Sequence, residues 1–403
     1  MNVDRVVIIG GGLAGASAAF ALREAGFAGS VTLVGDEPHH PYERPPLSKA
    51  YLRGEEPAEG ARFRPADDYM EADISLRLGA RALTVDREGR LVRLADGTEL
   101  PYDRLLLATG AAPRHLAVPG ADLDGVMTLR SYEDADAIRT AAESAERIVV
   151  VGGGWIGSEV AASLRQLGHA VTLVVNLSEP LEHVLGREVA TIYGDLHRER
   201  GVEVVSGRVT GIEGYPRVSG VRLSRGRSLP AQLVVVGVGA TPRVDLARRA
   251  GLAIADDGVA VDAELRTSDP FIYAAGDIAA AWNPRYGRRL RIEHWDNAKR
   301  QGAAAARNML GADKEYGRVP YFYSDQFDLG MEYRGYAPEW DEVVLRGNPV
   351  GREFLAFWLR DGRVVAGMNA NLWDAASAVS KLVAAGAPAD EIPTDVAQLL
   401  PAA

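Results

Sequence analysis

Val6-Val7-Ile8-Ile9-Gly10-Gly11-Gly12-Leu13-Ala14-Gly15 lies over Ile148-Val149-Val150-Val151-Gly152-Gly153-Gly154-Trp155-Ile156-Gly157, at an offset of 142 residues. Each block is a β-branched run fit for burial on both faces, then glycines, then a small-residue helix predicted over 16–26 and 158–168. A further strand follows in each copy, VTLVGD at 31–36 and VTLVVN at 171–176. Two strand-helix-strand units in one chain predict an α/β fold with two Rossmann-like dinucleotide-binding domains.

Working outward, Leu105-Leu106-Leu107-Ala108-Thr109-Gly110-Ala111-Ala112-Pro113-Arg114 lies over Val234-Val235-Val236-Gly237-Val238-Gly239-Ala240-Thr241-Pro242-Arg243, now at an offset of 129. The offset falls from 142 to 129, so the first copy carries 13 extra residues. Two sit in the Phe27 to Ser30 turn and the rest are expected in the Pro-rich stretch PHHPYERPPLSK, residues 38–49. Between each unit and its closing strand, short alternating runs broken by turn pairs such as Asp96-Gly97 predict a β-meander. Thr267 to Asp277 reads as another buried strand ending in Gly276-Asp277, followed by a helix from about Asn297. Past Gly317 the composition shifts: Trp340, Trp358 and Trp373 are three of six tryptophans, and EFLAFWL and RVVAGM alternate as strands. The expected domains are 1–112 with 242–318 for one nucleotide, 113–241 for the other, and an α+β domain over 319–403.

Composition narrows the chemistry. The 403 residues are 25% charged and 47% hydrophobic, the balance of a soluble multidomain protein. A net charge of −10 gives no general attraction to nucleic acid or anionic membranes. The chain has no cysteine, which removes disulfides, thiolate nucleophiles, iron–sulfur ligation and Cys-type zinc sites together. Redox chemistry would need an organic cofactor. The run Val6 to Ile9 is too short for a secretory segment and no long apolar window occurs, so a cytoplasmic protein without membrane insertion is expected. His39 and His40 are adjacent rather than i,i+4, and His183 and His197 are isolated, so no metal site is expected.

Gly10, Gly12 and Gly15 follow a strand and open a helix, the context a dinucleotide pyrophosphate requires. The glycines allow a tight turn and close backbone approach, and the helix N-terminus favours negative charge. A single such motif is also compatible with a bare tight turn, whereas Gly152, Gly154 and Gly157 repeat it in the same setting. Two dinucleotide sites are expected. The acid that would receive ribose hydroxyls is Asp36, with Glu37 beside it, in the first copy; Val175 and Asn176 stand there in the second.

Seven motifs in order, GGGLAG, RPPLSK, LLLATGAAPR, VVGGGWIGSE, TSDPFIYAAGD, RIEHWDNA and YFYSDQF, make the whole chain resemble the FAD-dependent, glutathione-reductase-type ferredoxin reductases of bacterial oxygenase systems, the putidaredoxin-reductase-like group. The resemblance implies FAD in the first domain, NADH or NADPH in the second, and a third domain that helps receive a ferredoxin-type iron–sulfur protein serving a P450 or dioxygenase. It implies that Gly10, Gly12, Leu13, Ala14 and Gly15 face the FAD pyrophosphate, Asp36 and Glu37 the adenosine ribose, and Gly276 and Asp277 the ribitol chain. Arg44, Ala82, Thr109, Gly110 and Arg130 would line the same cleft, and Glu293 and Trp295 the pyrimidine edge. Gly152, Gly154, Trp155, Ile156, Gly157, Val175, Asn176 and Gly239 would hold the nicotinamide nucleotide. Lys49 would sit near flavin N5 and Glu159 near both Lys49 and the carboxamide, the pair acting in hydride transfer by positioning.

Each of these also has an ordinary reading: Lys49 as a solvated helix residue, Glu159 as an i,i+4 partner, Trp295 as core. Two departures stand out, Val175 where many NADH-using relatives have an acid and Tyr323 where relatives often have Trp. With neither acid nor base at the second ribose position, and Glu179 and Glu182 nearby, a weak preference for NADH is expected. Tyr323 is expected to act in delivery to the carrier. An NADH:quinone or O₂ oxidoreductase, and a nicotinamide-responsive switch like apoptosis-inducing factor, remain alternatives, with a monomer or homodimer in either case.

Overall fold

The computed structural model describes residues 3–401. The chain forms two compact units, the first built from residues up to Glu43, Glu59–Ala112 and Ala240–Arg318. The second comprises Arg44–Ala58, Pro113–Gly239 and the chain from Val319 onward.

In the first unit a five-stranded sheet runs in the order Ile272–Ala274, Arg104–Leu107, Arg5–Ile9, Ser30–Val34, Ile74–Arg77, every pair parallel. The central strand reads as an unbroken β-branched run because Val6, Val7, Ile8 and Ile9 are all buried. Helix Leu13–Glu24 packs on helix Trp295–Met309, where a Cβ on Gly302 would stand 2.1 Å from the Ala14 carbonyl oxygen. The predicted meander is present as Ala82–Asp86, Leu91–Leu94 and Glu99–Pro101, and its Val85, Val92 and Leu94 join the same core.

The second unit repeats the plan. Its parallel sheet runs Glu203–Ser206, Ala170–Val175, Arg147–Val151, Leu233–Val236, Val126–Thr128, with a meander of Val209–Gly214, Val218–Leu223 and Ser228–Pro230. Both nucleotide helices begin three residues earlier than their composition suggests, at Leu13 and Trp155, because the end of each glycine loop is already helical.

Arg44–Ala58, which takes in part of the segment that distinguishes the first copy in sequence, belongs to the second unit. Its turn of 3-10 helix, Pro45–Ser48, precedes a run of cross-bonds: the Tyr132 hydroxyl donates to the Ala58 carbonyl (2.9 Å) and the Ser163 hydroxyl to the Ser48 carbonyl (2.6 Å).

The C-terminal part of the second unit is an antiparallel sheet in the order Tyr321–Gln326, Leu329–Gly335, Arg363–Ala370, Glu353–Arg360, Glu342–Asn348. The run EFLAFWL shows the period of two on a strand buried on both sides. Phe354, Ala356 and Trp358 pack with Leu185, Val189 and Tyr193 of helix Glu182–Glu199, while Leu355, Phe357 and Leu359 pack with Val379 and Val383 of helix Ala376–Ala385. The buried Trp358 indole N–H is satisfied by the Leu185 carbonyl at 3.0 Å.

Candidate active site

In the first unit the glycine loop is dictated by sterics. Gly10 has φ +125°, and a Cβ there would lie 2.0 Å from the Ala108 carbonyl oxygen; one on Gly15 would lie 2.1 Å from the Gly10 carbonyl oxygen. A Cβ on Gly12, by contrast, would meet nothing within 4 Å. Gly12 caps helix Leu13–Glu24 without a side-chain hydrogen bond, and no acid stands in the first turn. The helix N-terminus is thus uncapped behind an open face, which fits a pyrophosphate in charge and in room.

Asp36, Thr109 and Gly110 converge on one residue that the sequence did not single out for a role. Arg243 reaches the Asp36 carboxylate (3.2 Å), its carbonyl accepts from the Thr109 hydroxyl (2.9 Å), and its N–H donates to the Gly110 carbonyl (2.9 Å). The available signal was its place in ATPR, the copy of AAPR that ends at Arg114. Glu37 turns elsewhere, accepting the Tyr42 hydroxyl at 2.6 Å, so of the two adjacent acids Asp36 is the one that meets Arg243. Ala82 starts the meander two residues past Ala80, whose N–H bonds the Gly35 carbonyl and ties that corner to the Asp36 loop.

Gly276, at φ +81°, donates to the Gln301 side chain (2.9 Å), and a Cβ there would come 3.0 Å from that of Ala14, so the strand end carrying Asp277 lies against the start of the glycine-loop helix. Glu293 pairs with Arg291, and Trp295 is the first residue of its helix with the Lys299 ammonium 4.9 Å from its ring centre.

The second unit holds the same loop with different chemistry beyond it. A Cβ on Gly152 or Gly157 would collide with the Gly237 or Gly152 carbonyl oxygen at 2.3 and 1.9 Å, whereas Gly154 faces open space and caps helix Trp155–Gln166 with no side chain. Trp155 stacks at 4.5 Å on Phe322, and Ile156 is exposed. The Arg44 guanidinium donates to the Arg130 carbonyl, while the Arg130 N–H donates to Asp134 (2.8 Å), the capping acid of helix Tyr132–Glu143. Gly239, at φ +102°, accepts the Arg114 N–H.

Glu159 is the chemical centre of this unit. It lies on the nucleotide helix only 4% exposed, and all its partners come from far along the chain rather than from i,i+4. One carboxylate oxygen takes the Lys49 ammonium at 2.7 Å and the Ser48 hydroxyl at 2.5 Å; the other takes the Ser324 hydroxyl at 2.7 Å. Lys49 is not a solvated helix residue: it caps the 3-10 turn, is largely buried, and lies 5.7 Å from the Tyr323 ring centre. Tyr323 therefore borders this pair. Ser48 and Ser324 lay inside two of the recognised motifs, yet no local pattern marks a serine as a carboxylate ligand.

At the second ribose position Val175 is 1% exposed, with its side chain over Gly153, and Asn176 is the exposed residue. The two nearby acids are both engaged. Glu179 takes the Arg198 guanidinium at 2.8 and 3.0 Å, and Glu182 accepts the backbone N–H groups of Ser178 and Glu179 at 2.9 Å each. Among the described residues no cluster of three or more His, Asp or Glu could hold a metal ion, and no helix is long and apolar enough to cross a membrane.

Residues 4–302 match the family described as pyridine nucleotide-disulphide oxidoreductase, and residues 321–397 match the reductase C-terminal family. A probable ferredoxin reductase of Castellaniella defragrans, CtmF, is 43% identical over 366 residues, covering 90% of this chain and 89% of that protein. Putidaredoxin reductase of Pseudomonas putida is 39% identical over 370 residues, covering 90% and 87%. Among solved structures, the ferredoxin reductase for the CYP199A2 system from Rhodopseudomonas palustris matches with a TM-score of 0.94 at 36% identity, over 99% of this chain and 100% of that one. Putidaredoxin reductase in its covalent complex with putidaredoxin matches with 0.90 at 36% identity, over 99% and 96%. With both nucleotide loops, the buried Lys49–Glu159 pair and a matching C-terminal domain on one cysteine-free chain, the protein belongs to the pyridine nucleotide-disulphide oxidoreductase family, among its ferredoxin reductases.

Proposed function

We propose that the protein takes hydride from NAD(P)H with bound FAD and passes electrons singly to a ferredoxin-type iron–sulfur protein that supplies a P450 or dioxygenase. FAD supplies the conversion of a two-electron donor into one-electron deliveries. Residues 1–112 and 242–318 bind FAD, 113–241 bind the nicotinamide nucleotide, and 319–403 receive the carrier. The observation that carries this reading is the buried Lys49–Glu159 pair beside an uncapped glycine-loop helix. The absence of cysteine turns it away from the disulfide chemistry in the family's description, because no dithiol is available to take electrons from the flavin. Such a protein works in the cytoplasm, where its reductant is held, as a monomer or homodimer.

The test is reduction of cytochrome c with NADH as donor, with and without an added [2Fe–2S] ferredoxin of an oxygenase system. The purified protein is expected to be yellow, with one FAD per chain, and to reduce cytochrome c rapidly only when the ferredoxin is present. A colourless protein that ignores added FAD would overturn the flavin reading. Fast turnover with a quinone or O₂ and none with ferredoxin would overturn the carrier reading.

The nicotinamide preference follows from the strand end. Asn176 hydrogen-bonds a ribose hydroxyl or a phosphate, and the acids that would repel a 2′-phosphate are tied up by Arg198 and by backbone N–H groups. Selectivity for NADH is therefore expected to be weak. Asn176→Asp should raise the NADH/NADPH ratio of kcat/KM by about tenfold (~1.4 kcal/mol). Val175→Glu is expected to destabilise the protein instead, because it forces a carboxylate into the space over Gly153. An unchanged ratio in Asn176→Asp would show that the ribose is read elsewhere.

A further inference from the structure

A line of buried polar groups continues past Glu159, away from the glycine loop. Ser324 and Gln326 share one face of strand Tyr321–Gln326, as residues two apart on a strand do. The Gln326 amide nitrogen lies 3.3 Å from the Ser324 hydroxyl, and its amide oxygen lies 2.9 Å from Nε2 of His197 on helix Glu182–Glu199. Ser324, Gln326 and His197 are each at most 1% exposed. His197 Nδ1 has no hydrogen-bond partner among the described residues.

Proton counting gives this line a direction. An ionised Glu159 has nothing to donate, so the single hydroxyl proton of Ser324 must point to it. Ser324 must then accept from the Gln326 NH₂, and the Gln326 carbonyl must accept from His197, which carries its proton on Nε2. Burial pushes the His197 pKa down to about 4, so near neutral pH the ring is neutral and has one proton to place. The reverse direction needs a protonated Glu159 donating to Ser324, a turned Gln326 amide, and a proton on His197 Nδ1. That would bury an N–H with no acceptor, which folded proteins avoid more strictly than a bare lone pair.

We propose that Ser324, together with Ser48, is a positioning residue that keeps Glu159 aimed, and that the one-way line through Gln326 makes the tautomer of His197 a reporter of the Ser324–Glu159 hydrogen bond. The inference rests on the role given to Glu159 above. The other charged groups facing Glu159 are Lys49, 2.7 Å away, and Asp325. Asp325 is itself held above the usual carboxylate range by desolvation, with the Glu159 charge adding to that effect. The buried Tyr193 hydroxyl, raised by desolvation, stays neutral.

Two measurements on the FAD-loaded enzyme test this. The first is ¹⁵N–¹H correlation of imidazole-labelled protein, with His197 assigned by its contact with the Phe327 ring, 5.3 Å between centroids. It should show the proton on Nε2 near neutral pH and a mixed tautomer in Ser324→Ala. The second is the pH profile of flavin reduction by NADH. The profile should change in Ser324→Ala and in Ser48→Ala, since each loses a donor to the carboxylate, and return in Ser324→Thr. A proton found on Nδ1 in the parent enzyme, or superimposable pH profiles, would overturn the proposal. Glu159→Gln, run in parallel, separates the two readings. If it slows reduction while Ser324→Ala leaves profile and tautomer unchanged, only this inference fails; if it reduces at the parent rate, the role of Glu159 fails first.

Discussion

Replacing Glu159 with Gln, or Lys49 with Met, is expected to slow flavin reduction by NADH about 10- to 100-fold, with the double variant no slower than the slower single one. Each substitution removes one side of a charge-assisted bond of 2.7 Å in a nearly water-free setting, where such bonds contribute ~1.5–3 kcal/mol. If the pair acts by holding the nicotinamide in place, either loss abolishes the same function and the second loss adds nothing. The two variants should part in stability. Gln keeps the shape of Glu159: its one oxygen accepts one of the Ser48 and Ser324 hydroxyls, and its NH₂ donates to the oxygen of the other. Lys49→Met leaves a buried carboxylate without its counter-charge. It should cost about 3 kcal/mol, the low end for breaking a buried ion pair, because both hydroxyls remain. Stopped-flow reduction and urea unfolding measure the two effects separately. Multiplying losses in the double variant would mean that the residues act independently and that Lys49–Glu159 is only a structural pair.

Substitutions in the two glycine loops should separate folding from cofactor binding. Gly15→Ala places a methyl 2.1 Å from the Gly10 carbonyl oxygen, and Gly157→Ala does the same at 1.9 Å from the Gly152 carbonyl oxygen. Neither neighbour is a flexible side chain, so helix and strand must part. A loss of more than about 4 kcal/mol is expected, enough to leave little folded protein. Gly12→Ala and Gly154→Ala have open space instead, and their backbones, at ψ −173° and −178°, are extended and accept any residue. Both should fold normally. Gly12→Ala should weaken FAD binding at least about tenfold (~1.4 kcal/mol) with KM for NADH unchanged, and Gly154→Ala the reverse. Flavin fluorescence titration and steady-state kinetics give the two constants. If Gly12→Ala bound FAD like the parent, the first loop would not be the pyrophosphate site.

What was legible from the sequence is what repeats locally. The β-branched runs, the glycines at fixed spacing, the turn pairs of the meanders and the strand at EFLAFWL are all dictated by residues within about ten positions of one another, where backbone sterics and hydrophobic period act. They sufficed for both strand-helix-strand units, both glycine loops, the meanders and the strands of the C-terminal domain, while the strand order of each sheet came from the tertiary structure. The cysteine count alone turned the chemistry away from disulfides. The seven motifs named the family that the comparisons bear out.

Only the tertiary structure decided which polar groups meet. Glu159 draws on Ser48 and Lys49 from one segment and Ser324 from another, 111 and 165 residues away for the serines, and no local period records such a meeting. Arg243 reaches Asp36 across 207 residues. At the second ribose position, strand pleat and loop packing turned Val175 inward and Asn176 outward, while Arg198 and two backbone N–H groups took up the two nearby acids. The physical reason is common to all of these. Elements form from near-neighbour sterics and burial, which the order of residues carries directly, whereas a buried charge accepts only the partners that packing brings within hydrogen-bond reach.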